Sequence, residues 1–319
     1  MRRGFLAALL VVNIHAHAGQ DPKSKTATYD SPSVGRTLSY RIDFPDDYAT
    51  SGRRYPVIYL LHGLGGDESS WDSVRPTGAG RIPWIVVMPD AGNSWYVNWA
   101  KSEPGRKNAW EDAVIKDLIG HIDSTYRTIA RREGRAIDGM SMGGYGSLML
   151  GLKHPDMFVS VSSHGGAIAQ AQLSSNSIRK SGGSAYQPGA APRTVDANSS
   201  TEDFHSPVER TPRGTMWATA EDCDSYDPFQ LVLKTQREKL PHIYLDCGSD
   251  DRQYIRASQD FAKLLMEKRI SFMYAESPGG HDGGFWSRAT LRSMPIQYEV
   301  IRQALKNNEH AETKAAANR

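Results

Sequence analysis

The sequence has little cysteine, no long apolar run beyond its first residues, and almost no charge excess. Two cysteines in 319 residues, Cys223 and Cys247, exclude a thiolate metal centre and allow at most one disulfide. Basic and acidic residues number 38 and 36, which leaves no electrostatic footprint for nucleic acid. Away from the N-terminus no stretch is long and apolar enough to span a bilayer. No internal repeat is visible. The length suffices for one large α/β domain or two small ones with a sizeable core.

The N-terminus carries a targeting pattern. Arg2-Arg3 precede an apolar run over residues 4–14, and Ala16-His17-Ala18 supplies a small-x-small cleavage site. This predicts a secretory signal peptide over residues 1–18, cleaved after Ala18, and a secreted or periplasmic protein. The paired arginines also hint at twin-arginine export, but the flanking polar residues are missing, which favours the general pathway. Without Arg2 and Arg3 the basic and acidic counts are equal. Export would place Cys223 and Cys247 where a disulfide can form.

Residues 19–33 are polar and read as a flexible leader. Residues 37–44 alternate as a half-buried strand does, and 55–61 form a near-continuous apolar run, as in a strand covered on both faces. Strands are likewise expected at 82–88, 135–137, 158–163, 242–247 and 270–274. Helical patterns fall at 109–126, 145–154, 228–239, 256–268 and 285–305. The pattern breaks over 170–224, which reads as a lid-like insertion over the active face, and 307–319 reads as a fraying polar tail. Alternating strands and helices over residues 34–306 predict an α/β domain: a mostly parallel central sheet with helices on both faces. Ligands in such sheets bind at the strands' C-terminal ends.

One stretch organises the chain. Gly139-Met140-Ser141-Met142-Gly143 lies between a strand and a helix, the setting of a nucleophile elbow, where a tight turn lifts a serine hydroxyl clear of the sheet. A serine needs a base, a histidine suits near neutral pH, and the histidine needs a carboxylate to fix its tautomer. In this architecture the chain order is nucleophile, acid, histidine. Ser141 is followed by Asp250 and Asp251 after the 242–247 strand, then by His281 in a glycine-rich loop. Either aspartate fits the acid's place, the other being a helix cap or a surface charge. The oxyanion needs two backbone donors. Met142 N–H is one, and the His62–Gly66 bend offers Leu64 N–H as the other. His62 is expected to brace that bend, and His164 to lie near the site without a chemical role.

From residue 37 to 305 the chain resembles the putative-esterase family of α/β-hydrolases, which includes S-formylglutathione hydrolases, tributyrin and feruloyl esterases, and mycolyltransferases. The resemblance rests on the blocks at 55–63, 87–96, Gly139-Met-Ser-Met-Gly-Gly144 and Gly279-Gly-His-Asp282 with Trp286. It implies the α/β-hydrolase fold, Asp251 rather than Asp250 as the acid, and Leu64 and Met142 as oxyanion donors. Gly63, Trp95, Tyr96 and Trp286 become candidate substrate-binding residues. The 170–224 segment departs from the family pattern.

The expectation is a secreted serine carboxylesterase that forms an acyl-enzyme on Ser141 and needs neither cofactor nor metal. Its substrates would be short-chain acyl or aromatic esters, feruloyl or acetyl groups on polysaccharide included. The rivals are a mycolyltransferase-like acyltransferase and a non-catalytic binding protein. Calcium at Glu221, Asp222, Asp224 and Asp227 is the weaker reading beside a solvated acidic loop.

Overall fold

The computed structural model describes residues 23–74, 82–181 and 211–317. The expected signal peptide therefore lies outside the described residues. Ten strands are present among those described: β1 Ser24–Ser31, β2 Arg36–Asp43, β3 Val57–Leu61, β4 Ile85–Pro89, β5 Lys101–Ser102, β6 Arg135–Met140, β7 Ser160–His164, β8 Gly214–Thr215, β9 His242–Gly248 and β10 Met273–Ser277. Eight form one sheet in the order β1-β2-β4-β3-β6-β7-β9-β10, while β5 and β8 make a separate small ribbon. β1, β2 and β4 pair antiparallel, and every pairing from β4 to β10 is parallel.

The apolar runs explain the central strands. Val57, Tyr59 and Leu61 of β3 face one core while Ile58 and Leu60 face a second on the sheet's other side; Ile85 and Val87 are divided from Val86 and Met88 in the same way. Helices cover both faces: α1 Trp110–Asp112, α2 Ile119–Thr125, α3 Met142–Lys153, α4 Gln170–Lys180, α5 Ala220–Asp224, α6 Pro228–Lys234, α7 Ile255–Glu267 and α8 Gly283–Ala317. A π-helical stretch, Ala113–Leu118, joins α1 to α2. No helix among the described residues is long and apolar enough to cross a membrane.

Three expectations are corrected. Residues 24–31, read as leader, form β1, because the backbone pairs along β2 from Ser24↔Asp43 to Ser31↔Arg36 although few side chains are buried. The polar tail is largely helical: α8 runs on to Ala317. The insertion is not irregular throughout, since its described ends form α4, β8 and α5. There Arg179 Nη2 donates to Asp224 Oδ2 at 2.6 Å and Ser175 Oγ to Asp224 Oδ1 at 2.7 Å. Its middle, 182–210, lies outside the described residues. Cys223 and Cys247 are both buried and free, so no disulfide joins them.

Candidate active site

Parallel strands carry the chemistry-bearing loops to one edge of the sheet. Ser141 is the residue between β6 and α3, held at φ +54°, ψ −118°, a left-handed conformation that a side chain adopts only under strain. The turn is closed by backbone contact. A Cβ on Gly139 would stand 2.0 Å from the Gly143 carbonyl oxygen, and one on Gly143 would stand 2.1 Å from that of Leu61. Neither position admits a larger residue.

Three side chains meet at this turn. Ser141 Oγ donates to His281 Nε2 at 2.8 Å. His281 Nδ1 donates to Asp251 Oδ2, also at 2.8 Å. Asp251 is buried, and its other oxygen accepts the backbone N–H groups of Gln253 and Tyr254, each at 3.2 Å. Asp250 is exposed to solvent. Gly165, at φ +51°, runs beneath the pair: a Cβ there would lie 3.3 Å from Asp251 Oδ2 and 3.4 Å from His281 Nδ1. The imidazole is held on its faces by Trp286, edge-on at 5.0 Å, and by Tyr254 at 4.6 Å between ring centroids.

Ser141 and His281 open into a cavity of about 620 Å³, whose lining also includes Gly63, Leu64, Met140, Tyr254 and Trp286. Its size suits a small organic ligand. Gly63 crosses close over the serine, since a Cβ on it would be 3.3 Å from Ser141 Cβ. The bend is braced by His62, whose Nδ1 donates to the Gly63 carbonyl at 2.7 Å while its Nε2 accepts Ala91 N–H at 3.0 Å. Met142 begins α3 beside Ser141, at the end of the helix where negative charge is favoured.

Trp95 and Tyr96, expected in the pocket wall, do not line the cavity. Both are buried at positive φ; Tyr96 Oη donates to the His62 carbonyl at 2.9 Å, and Trp95 packs edge-on against Tyr145. They support the bend and the elbow helix from within. None of the described insertion residues lines the cavity either.

Two features escaped the sequence reading. Tyr254 is one, three residues past Asp251. The other lies under the elbow, where His164 Nδ1 donates to Asp246 Oδ1 at 2.8 Å and its Nε2 lies 3.0 Å from Asp138 Oδ1, all three residues fully buried. From α8, Gln297 Nε2 donates to Asp138 Oδ2 at 2.7 Å. Burial opposes a charge on His164, but the two carboxylates outweigh it and raise its pKa to about 10.

A family model described as Putative esterase matches residues 31–293. The chain belongs to the Putative esterase family. Within it, the chain is 33% identical over 276 residues to an esterase of Mycobacterium tuberculosis (strain CDC 1551 / Oshkosh), a match covering 82% of this chain and 56% of the relative. This chain thus spans only about half the length of that relative. It is 28% identical to an acetyl esterase of Caldicellulosiruptor saccharolyticus, with 73% of this chain and 79% of the relative covered. An S-formylglutathione hydrolase from Agrobacterium tumefaciens superposes with a TM-score of 0.66 at 16% identity, over 87% of this chain and 95% of the other. That likeness establishes the α/β-hydrolase fold for this member of the family.

Proposed function

We propose that the chain is a serine carboxylesterase acting on short-chain acyl or aromatic esters. The observation that carries this reading is the continuous hydrogen-bonded line from Ser141 through His281 to Asp251, opening into the cavity. Family membership and the acetyl esterase relative support it.

In this reading Ser141 Oγ attacks the ester carbonyl carbon and gives its proton to His281 Nε2. The carbonyl oxygen gathers negative charge and is met by the backbone N–H groups of Leu64 and Met142. The C–O bond to the alcohol breaks, and His281 returns the proton to the departing oxygen. Water then repeats the sequence on the acyl-enzyme and releases the acid. Asp251 keeps the Nδ1–H tautomer and stabilises the imidazolium. Every charge is met by groups of the chain itself, so the reading calls for no cofactor. The N-terminal pattern supports export, and Gly63 and Trp286 of the cavity wall are the proposed substrate contacts.

Hydrolysis of nitrophenyl esters from acetate to decanoate, with methyl ferulate beside them, tests the reading. The parent is expected to turn over short esters with burst kinetics, and Ser141→Ala to lose at least about 1,000-fold in kcat. Parent and variant equally inert on every ester would sink it.

A further inference from the structure

Among the described residues, Tyr254 is the one hydroxyl in the cavity lining, besides Ser141 itself, that also touches the imidazole. Its ring packs on His281 at 4.6 Å between centroids, tilted by 48°. Its backbone N–H is tied to Asp251 Oδ1 at 3.2 Å. Ring and backbone are therefore both in contact with the His281–Asp251 pair.

The hydroxyl is held as well as the ring. Gln253 Nε2 donates to Tyr254 Oη at 2.9 Å. With that lone pair occupied, the phenol proton is left to point at another acceptor. Burial, and after it the Asp251 charge, raise the phenol above its ordinary pKa, although the hydrogen bond from Gln253 opposes the shift. The group therefore stays a donor throughout the neutral range. It lines, together with Ser141 and His281, the cavity that substrate would enter. Ordinary core packing does not require a tyrosine in the wall of this cavity; phenylalanine would cover the imidazole equally well.

We propose that Tyr254 is a catalytic residue whose hydroxyl donates a hydrogen bond to the alcohol oxygen of the ester as that oxygen leaves the acyl carbon. The inference rests on the esterase reading above. As the bond from Ser141 Oγ to the acyl carbon forms and the carbon–alkoxy bond breaks, the proton taken from Ser141 passes by His281 Nε2 to the alkoxy oxygen. Tyr254 keeps its own proton throughout. It steadies the negative charge on the departing oxygen until His281 has neutralised it, so its value depends on how much charge that oxygen carries.

That dependence is the test. Ethyl acetate and 4-nitrophenyl acetate give the same acyl-enzyme and differ only in the leaving group; an alkoxide needs help, a nitrophenolate little. Tyr254→Phe keeps the ring on His281 and is expected to lower kcat/KM on ethyl acetate by about 10- to 100-fold, and on 4-nitrophenyl acetate by less than about threefold. Gln253→Leu, at an exposed position, frees the phenol without touching the fold. It is expected to lower ethyl acetate turnover several-fold, again with little effect on the nitrophenyl ester. Equal losses on both esters, or none on either, would overturn the proposal while leaving the esterase reading intact. A parent inert on both would remove that reading and this inference with it.

Discussion

The backbone N–H of Ser141 donates to the carbonyl of His164 at 3.0 Å. Ser141, directly after β6, and His164, the last residue of the adjacent β7, are thus fixed to each other by the main chain. The imidazole of that same histidine is clasped between Asp138 and Asp246. The elbow consequently rests on a buried charged cluster that α8 closes through Ser293 and Gln297.

This cluster gives the fold a pH signature. His164 has a pKa of about 10 against an ordinary 6.5, so the folded protein binds that proton more tightly than the unfolded chain does. Its contribution to stability is complete below about pH 6.5 and declines as pH rises toward about 10. Urea midpoints of the parent are expected to fall across that interval. His164→Gln should be less stable at pH 6 and lack this part of the fall. Parallel profiles for parent and variant would show that the folded imidazole carries no extra proton.

Gly143→Ala tests the closeness of the turn. The added carbon would stand 2.1 Å from the Leu61 carbonyl oxygen and 2.7 Å from that of His62, which are backbone atoms with no rotamer to yield. A loss of about 3 kcal/mol is expected from urea unfolding, together with a fall in ester turnover, because relief of the clash must shift β3 or the serine. A variant as stable as the parent would mean that the elbow has slack.

The two thiols should be silent. Burial raises both Cys223 and Cys247 to about 12, and neighbouring carboxylates act in the same direction: Asp224 and Asp222 on the first, Asp251 on the second. Native protein is expected to resist iodoacetamide at pH 8 and to react at both positions once unfolded in urea. Reductant should leave the melting temperature unchanged, since both thiols are free. Alkylation of the native protein within minutes would contradict their burial.

The central strands were legible because burial on both faces demands an unbroken apolar run, as at 57–61. The elbow was legible because its contacts leave no room for side chains at Gly139 and Gly143. β1 was not. An edge strand is held by its backbone ladder, and Ser24–Ser31 buries only Tyr29 and Ser31, so polar composition concealed it. The end of α8 escaped for a similar reason: exposed helical turns need no apolar stripe, and the alanine-rich residues 307–317 satisfy helix propensity alone. Trp95 and Tyr96 misled because aromatics after a strand suit a pocket wall and a buried brace equally. The cluster of Asp138, His164 and Asp246 was hidden by distance along the chain. It emerges only when β6, β7 and β9 lie side by side, with Met140 opposite His164 and His164 opposite Asp246.

The left-handed backbone of Ser141 has a consequence for renaturation experiments. No local preference of the chain favours that conformation; it exists only while Leu61, Gly139 and Gly143 are pressed together by the assembled sheet. Collapsed intermediates with native-like secondary structure would therefore lack a competent nucleophile. In a refolding time course, the recovery of ester turnover should lag behind far-ultraviolet circular dichroism and coincide with the slowest packing step, so that turnover becomes a clock for the protein's own final assembly.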